Sequence, residues 1–151
     1  MSHDIKNVKP KKSSRYTQGY FSGSTKIFES QRNKPVIYRS SWELYFMKWL
    51  ESNPNVKGWG SECIGIKYIL VTDHSEHTYY PDYLIEFISG EKWLVEIKPL
   101  SQTKKPKHHN YNSYEWQTYI KNCCKWRAAN QFAQKNNIKF KILTEHTINR
   151  L

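Results

Sequence analysis

The stretch that most limits the fold is YLIEFISGEKWLVEIK, residues 83–98. Two runs rich in β-branched and aromatic residues, 83–88 and 92–97, flank Ser89-Gly90-Glu91, and this pattern predicts a hairpin. Side chains alternate along a strand, so Glu96 and Lys98 share one face. Trp93, Val95 and Ile97 point to the other face and belong to the core. Loop length decides where Asp82, just before the first run, comes to lie. A two-residue loop sets Asp82 opposite Ile97, on the wrong face. A three-residue loop, Ser89 to Glu91, pairs Leu84 with Glu96 and Asp82 with Lys98, and all three polar side chains then share a face. A site built from Asp82, Glu96 and Lys98 requires that loop or a compensating bulge.

The flanking sequence supplies helices. Ser40-Ser41-Trp42-Glu43 has the form of a capping box. Trp42, Tyr45, Phe46, Trp49 and Leu50 recur at helical steps, and Asn53-Pro54-Asn55 ends the helix. Residues 64–71 and 77–80 read as strands around a turn at 73–76. Residues 114–135 read as a long helix with Trp116, Ile120, Cys123, Cys124, Ala128 and Phe132 as its buried stripe. Ile138, Phe140 and Ile142 alternate as a strand, and a short helix closes the chain. The order is α-β-β-β-β-α-β. It predicts a single α/β domain in which helices flank a central mixed β-sheet. A chain of 151 residues suits one such domain. The domain is expected over residues 36–151, behind a flexible basic arm over residues 1–35, with Tyr20, Phe21, Ile27 and Phe28 docking locally.

Charge narrows the function. The formal net charge is +11. Residues 1–35 contribute +6 and residues 101–127 contribute +5. Positive charge concentrated in this way attracts a polyanion, and nucleic acid is the commonest. Lys104, Lys105 and Lys107 follow the hairpin closely, and Lys121, Lys125 and Arg127 continue on the long helix. These six are the candidate DNA contacts, with Tyr111, Tyr114 and Trp116 available for stacking on bases. No base-reading motif is present, so weak sequence specificity is expected. No run of about 18 apolar residues suggests a membrane span, and the polar N-terminus lacks the apolar core of a signal peptide. The three cysteines, Cys63, Cys123 and Cys124, form no disulfide framework and are expected to be buried thiols of a reducing compartment. His108-His109 with Cys123-Cys124 matches no zinc spacing, since adjacent helical residues diverge by about 100°. Phosphate-binding glycine motifs are absent.

Asp82, Glu96 and the Ile97 carbonyl would form a hard-oxygen site suited to Mg²⁺, with Mn²⁺ as a substitute. A cation there would activate water and relieve the repulsion between the acids. Lys98 would hold the attacking water or the phosphate. The plainer alternative is an ordinary cross-strand Glu96–Lys98 pair on an exposed face.

Pro81-Asp82 followed by Glu96-Ile97-Lys98 resembles the PD-(D/E)xK nuclease superfamily. With Ser41-Trp42-Glu43 on a preceding helix, the pattern is similar to the transposon end-cleaving endonuclease branch. The resemblance implies a restriction-endonuclease-like core and Mg²⁺-dependent hydrolysis of DNA phosphodiesters. It implies Asp82 and Glu96 as metal ligands, Glu43 as a further acid of the site, and Lys98 as the catalytic lysine. Glu43 has a competing role as the capping-box glutamate bound to the Ser40 amide. Over nearly its whole length the chain resembles the head-completion nucleases of T-even-type phages. That implies an enzyme acting on packaged DNA before tail joining, in the host cytoplasm or within the virion, with the portal or other head-completion proteins as partners. Two other readings stay open on the residues: a DNA-binding structural protein of the virion without catalysis, and a junction or repair nuclease.

Overall fold

The computed structural model describes residues 18–151. Among these residues the chain forms β1 (Gly19–Tyr20), β2 (Ile37–Tyr38), α1 (Ser41–Ser52), β3 (Val56–Ser61), β4 (Ile66–Leu70), β5 (Ser75–Tyr79), β6 (Tyr83–Phe87), β7 (Lys92–Ile97), α2 (Tyr114–Lys135), β8 (Lys139–Leu143) and α3 (Glu145–Ile148).

The β6–β7 hairpin lies at the centre of a four-stranded sheet of order β3-β6-β7-β8. β3 and β7 flank β6 antiparallel, while β8 runs parallel to β7. A parallel neighbour needs a crossover, and α2 provides it. Because strand side chains alternate, the two faces fill differently. Tyr83, Ile85 and Val95 join Trp59, Phe46, Met47, Leu50 and Ile148, which places α1 and α3 on one side. Leu94 joins Ile66, Tyr68, Tyr79 and Ala129, with Leu84 and Phe140 against them, which places α2 and the separate β4–β5 hairpin on the other. The result is the expected mixed sheet between helices in one domain.

The hairpin loop is three residues long, but it is Ile88-Ser89-Gly90 rather than Ser89-Gly90-Glu91. Phe87 N–H donates to the Glu91 carbonyl at 2.9 Å, and Gly90 N–H donates to the Phe87 carbonyl at 2.9 Å. Gly90 has φ +91°, which is easy only for glycine, so it takes the last loop position. Tyr83 therefore pairs with Val95 and Leu84 with Leu94. This register lies two residues from the expected one, so every side chain keeps its face. Asp82, however, falls opposite Glu96 instead of Lys98.

Three other expectations change. β3 is a strand that the sequence does not predict: VKGWGS carries two glycines, which usually weaken a strand. Here the glycines admit a neighbour. A Cβ on Gly58 would come within 2.9 Å of Phe28, and one on Gly60 within 2.8 Å of Phe28 and Gln31. Residues 18–35 consequently belong to the domain and not to a loose arm. Phe21 and Ile27 enter the core, Phe28 N–H donates to the Trp59 carbonyl at 2.8 Å, and Glu51 binds Ser24 Oγ at 2.7 Å and Thr25 N at 2.8 Å. The expected arm over residues 1–17 lies outside the described residues. Finally, the helix stripes rotate. α1 buries Phe46, Met47 and Leu50 while Tyr45 stays exposed, and α2 buries Trp116, Asn122, Ala129 and Ala133. Cys63 and Cys123 are exposed and Cys124 is half-buried; all three are free thiols.

Candidate active site

Asp82 sits immediately before β6, and Glu96 and Ile97 end β7. The antiparallel register brings the two acids together at one end of the sheet. Asp82 Oδ2 accepts a hydrogen bond from Ile97 N–H at 2.8 Å, which locks the aspartate across the end of β7. Beyond Ile97 the chain stays aligned with β8, because Lys98 N–H donates to the Leu143 carbonyl at 2.9 Å. Lys98 thus projects on the side of Glu96, as the alternation requires. Its Nζ lies 3.8 Å from Glu96 Oε2. That is an ion pair too long for a hydrogen bond, so the ammonium keeps its donors for another partner. Glu96 is 5% exposed, which rules out the ordinary surface Glu–Lys pair.

Both acids are strained as anions. Burial pushes Asp82 well above the usual carboxylate range, the charge of Glu96 adds to this, and the Ile97 N–H only partly offsets it. Burial also raises Glu96, against the lowering influence of Lys98. Glu43 comes from the first turn of α1. Its amide takes the cap from Ser40 Oγ at 3.1 Å, and its carboxylate lies 3.3 Å from the same hydroxyl. Among the described residues no hydrogen bond runs back from Glu43 to the Ser40 amide, so the reciprocal half of the capping box is not formed. Burial, followed by the charge of Asp82, raises Glu43 from 4.5 to about 7. The structure thus gathers Glu43, Asp82, Glu96 and Lys98 at one end of the sheet.

Two tyrosines complete the surroundings, and sequence reasoning missed both. The hydroxyls of Tyr79 and Tyr83 are buried, Tyr79 beside Glu96 and Tyr83 beside Glu43. Burial and the charge of Glu96 hold the Tyr79 hydroxyl protonated, and burial and the charge of Glu43 do so for Tyr83. Their signal in the sequence was the run Tyr79-Tyr80-Pro81-Asp82-Tyr83, in which one strand ends at Tyr79 and the next begins at Tyr83, on either side of the aspartate.

Among the described residues, no group of three or more His, Cys, Asp or Glu stands close enough to hold a metal ion outright. The donor set nevertheless fits a hard divalent cation: oxygen ligands only, held above the usual carboxylate range chiefly by burial, a cost to the anions that a cation would relieve. Asp82 and Glu96 are the residues that could hold it. Ile97 has its N–H committed to Asp82 and is positioned at the strand end where a carbonyl ligand would be needed.

The basic residues divide. Lys104, Lys105 and Lys107 line a cavity of about 840 Å³ that opens on Lys98. Lys125, half-buried on α2, lies over the Tyr79 ring at 5.4 Å. Burial and the nearby Lys98 lower its pKa, while the charges of Glu96 and Asp82 act the other way and show that it lies near the carboxylates. Lys121, one turn earlier, is exposed on the same helix and contributes to that lowering. Arg127 is not brought into this group. It borders a separate groove with Lys67, Tyr68 and Ile69, because two helical steps turn it about 200° from Lys125. His108 pairs with Glu115 at 2.8 Å, with no part in a metal cluster among the described residues.

A family described as TnsA-like endonuclease N terminal matches residues 53–145. That span contains Asp82, Glu96 and Lys98 and begins after Glu43. A head completion nuclease of Enterobacteria phage T4 is 35% identical over 129 residues, covering 78% of this chain and 84% of the relative.

Proposed function

From the premise that the chain belongs to the TnsA-like endonuclease N-terminal family, we propose that it is a divalent-metal-dependent deoxyribonuclease serving phage head completion. Its mixed sheet between helices is the restriction-endonuclease-like α/β fold. The observation that carries the reading is the buried Asp82–Glu96 pair with Lys98 Nζ 3.8 Å from Glu96, where Lys98 also lines a cavity with Lys104, Lys105 and Lys107.

Asp82 and Glu96 would hold Mg²⁺ or Mn²⁺, with Glu43 reaching the same site from α1 and the Ile97 carbonyl as a further oxygen. The bound cation supplies Lewis acidity toward the scissile phosphate and its attacking water. The Ile97 N–H fixes the Asp82 carboxylate, so a ligand geometry exists before substrate arrives. Lys98, not hydrogen-bonded to Glu96, directs its donors toward the attacking water or a phosphate oxygen and stabilises charge as it develops. Burial of the acids keeps bulk water from competing for them. Lys104, Lys105 and Lys107 hold the backbone phosphates beside Lys98, and Lys121 and Lys125 extend that grip. These contacts are to the backbone, so cleavage has low sequence specificity. The setting is the host cell during particle assembly, with packaged DNA as substrate.

The test is supercoiled plasmid incubated with the purified protein in Mg²⁺, Mn²⁺ or EDTA, with Asp82→Asn as control. Nicking that needs both metal and Asp82 supports the proposal. Tight, salt-dependent binding with no cutting in any divalent metal would replace it with a structural DNA-binding role.

A further inference from the structure

The cavity beside Lys98 is larger and less polar than a phosphate grip requires. Its volume of about 840 Å³ lies within the range of roughly 300–1,000 Å³ that accommodates whole small ligands. Leu100, Pro106, Tyr114 and Tyr119 give it carbon-rich walls, and Lys98, Lys104, Lys105 and Lys107 surround them, with Glu115 as the one lining acid. Tyr114 is 84% exposed, although tyrosine gains by covering its ring. A flat apolar wall ringed by ammonium groups matches a nucleotide: a π-face to stack and a phosphate to hold.

The walls are also fixed in advance. Trp116 Nε1 donates to the His108 carbonyl at 2.7 Å, and Gln117 Nε2 donates to the Tyr111 carbonyl at 2.8 Å. His108 is tied to Glu115 at 2.8 Å. On the opposite side, Leu100 N–H is held by Glu145 Oε1 at 3.0 Å, and Thr103 Oγ1 donates to the Leu100 carbonyl at 2.7 Å. Lys105 Nζ rests 5.6 Å from the Trp116 ring centre. The loop after β7 is therefore stapled to α2 and α3, and it keeps the cavity open without a ligand.

An intact duplex cannot use such a cavity, because its bases face one another and offer only phosphates and groove edges. We propose that the cavity takes an unpaired nucleotide of the DNA strand, so that the protein acts by preference on flaps, frayed ends or other places where a base leaves the stack. This rests on the nuclease reading of Asp82, Glu96 and Lys98, since it identifies the DNA structure that delivers a phosphate to that site. An extruded base stacked near Tyr114 and Tyr119 brings its own phosphate toward Lys98.

The experiment is fluorescence anisotropy in EDTA, where nothing is cut. It compares a blunt duplex with a duplex of equal phosphate count ending in a short single strand that carries 2-aminopurine. We expect about tenfold tighter binding of the single-strand-bearing probe, with quenching of the 2-aminopurine as it stacks. Tyr114→Ala, at an exposed position that tolerates truncation, and Tyr119→Leu should reduce that preference to about twofold. Equal affinity for the two probes overturns the proposal. So does a preference that both substitutions leave intact. Because binding is read without metal, a protein that keeps the preference but never cleaves would refute only the nuclease reading.

Discussion

Glu43→Gln separates a catalytic acid from a helix cap. The variant keeps the side-chain shape and an oxygen to accept from Ser40 Oγ, and it leaves the cap to the residue-43 amide intact. What it removes is a charge that the metal-free fold tolerates poorly. Each pKa unit corresponds to about 1.4 kcal/mol, so raising Glu43 from 4.5 to about 7 costs the folded state at most about 3.5 kcal/mol once it ionises. Glu43 is partly exposed, and solvent screening reduces the expected gain to about 1–3 kcal/mol. The sign follows from the raised value. Below pH 4.5 the glutamate is protonated in both folded and unfolded chains, and the variant and the parent are equally stable. As pH rises toward 7 the unfolded chain releases its proton first, so the parent loses stability while the variant does not. Above pH 7 the difference is constant. Thermal unfolding in EDTA at pH 4, 6 and 8 should show the curves diverging, with the variant melting about 3 °C higher per kcal/mol at pH 8. Mg²⁺ should reverse the order, because the parent gains binding energy that the variant lacks, and cleavage by the variant should fall. A variant that is less stable than the parent at pH 8 in EDTA, or equally displaced at every pH, refutes the reasoning. One that keeps full Mg²⁺ stabilisation and full cleavage leaves Glu43 as a cap alone.

Other outcomes follow from the same geometry. Asp82→Asn, which retains an acceptor for the Ile97 N–H, should abolish plasmid nicking while leaving circular dichroism unchanged. Lys98→Met should lower kcat by about a hundredfold or more by removing a charge aimed at the reacting phosphate, measured as single-turnover cleavage at saturating metal. Lys104→Ala with Lys105→Ala should flatten the salt dependence of DNA binding by about 1.8 in log–log slope, read by anisotropy across a potassium chloride series. Gly60→Ala should destabilise the fold by about 1–3 kcal/mol, because the added methyl meets Phe28 and Gln31 at 2.8 Å; urea unfolding that matches the parent would mean residues 26–31 do not pack on β3.

Much of the site could be read in the sequence because its key relations are local. Glu96 and Lys98 are two residues apart on one strand, and alternation alone sets their common side. Asp82 precedes the partner strand of the same hairpin, so only the parity of the loop matters for its face. The long helix was legible from its period, and α2 covers the expected residues Tyr114–Lys135. β3 was not legible, because its glycines make sense only once Phe28 and Gln31 lie against them. The stripe of α1 turned because the core selects Met47 over Tyr45, whose hydroxyl reaches the Leu151 carbonyl at 3.2 Å.

The sequence by itself determined a basic, single-domain α/β chain with an acid–acid–lysine set at the end of a hairpin, because strand and helix periods are properties of neighbours along the chain. Tertiary structure decided the rest. It slid the register by two residues and set Asp82 across from Glu96, since only Gly90 among the loop residues accepts a positive φ. It drew residues 18–35 into the core, turned Arg127 away from the lysines, and buried Tyr79 and Tyr83 beside the acids. It also shaped the cavity next to Lys98. Each depends on which distant surfaces exclude water from one another, and no local period carries that information.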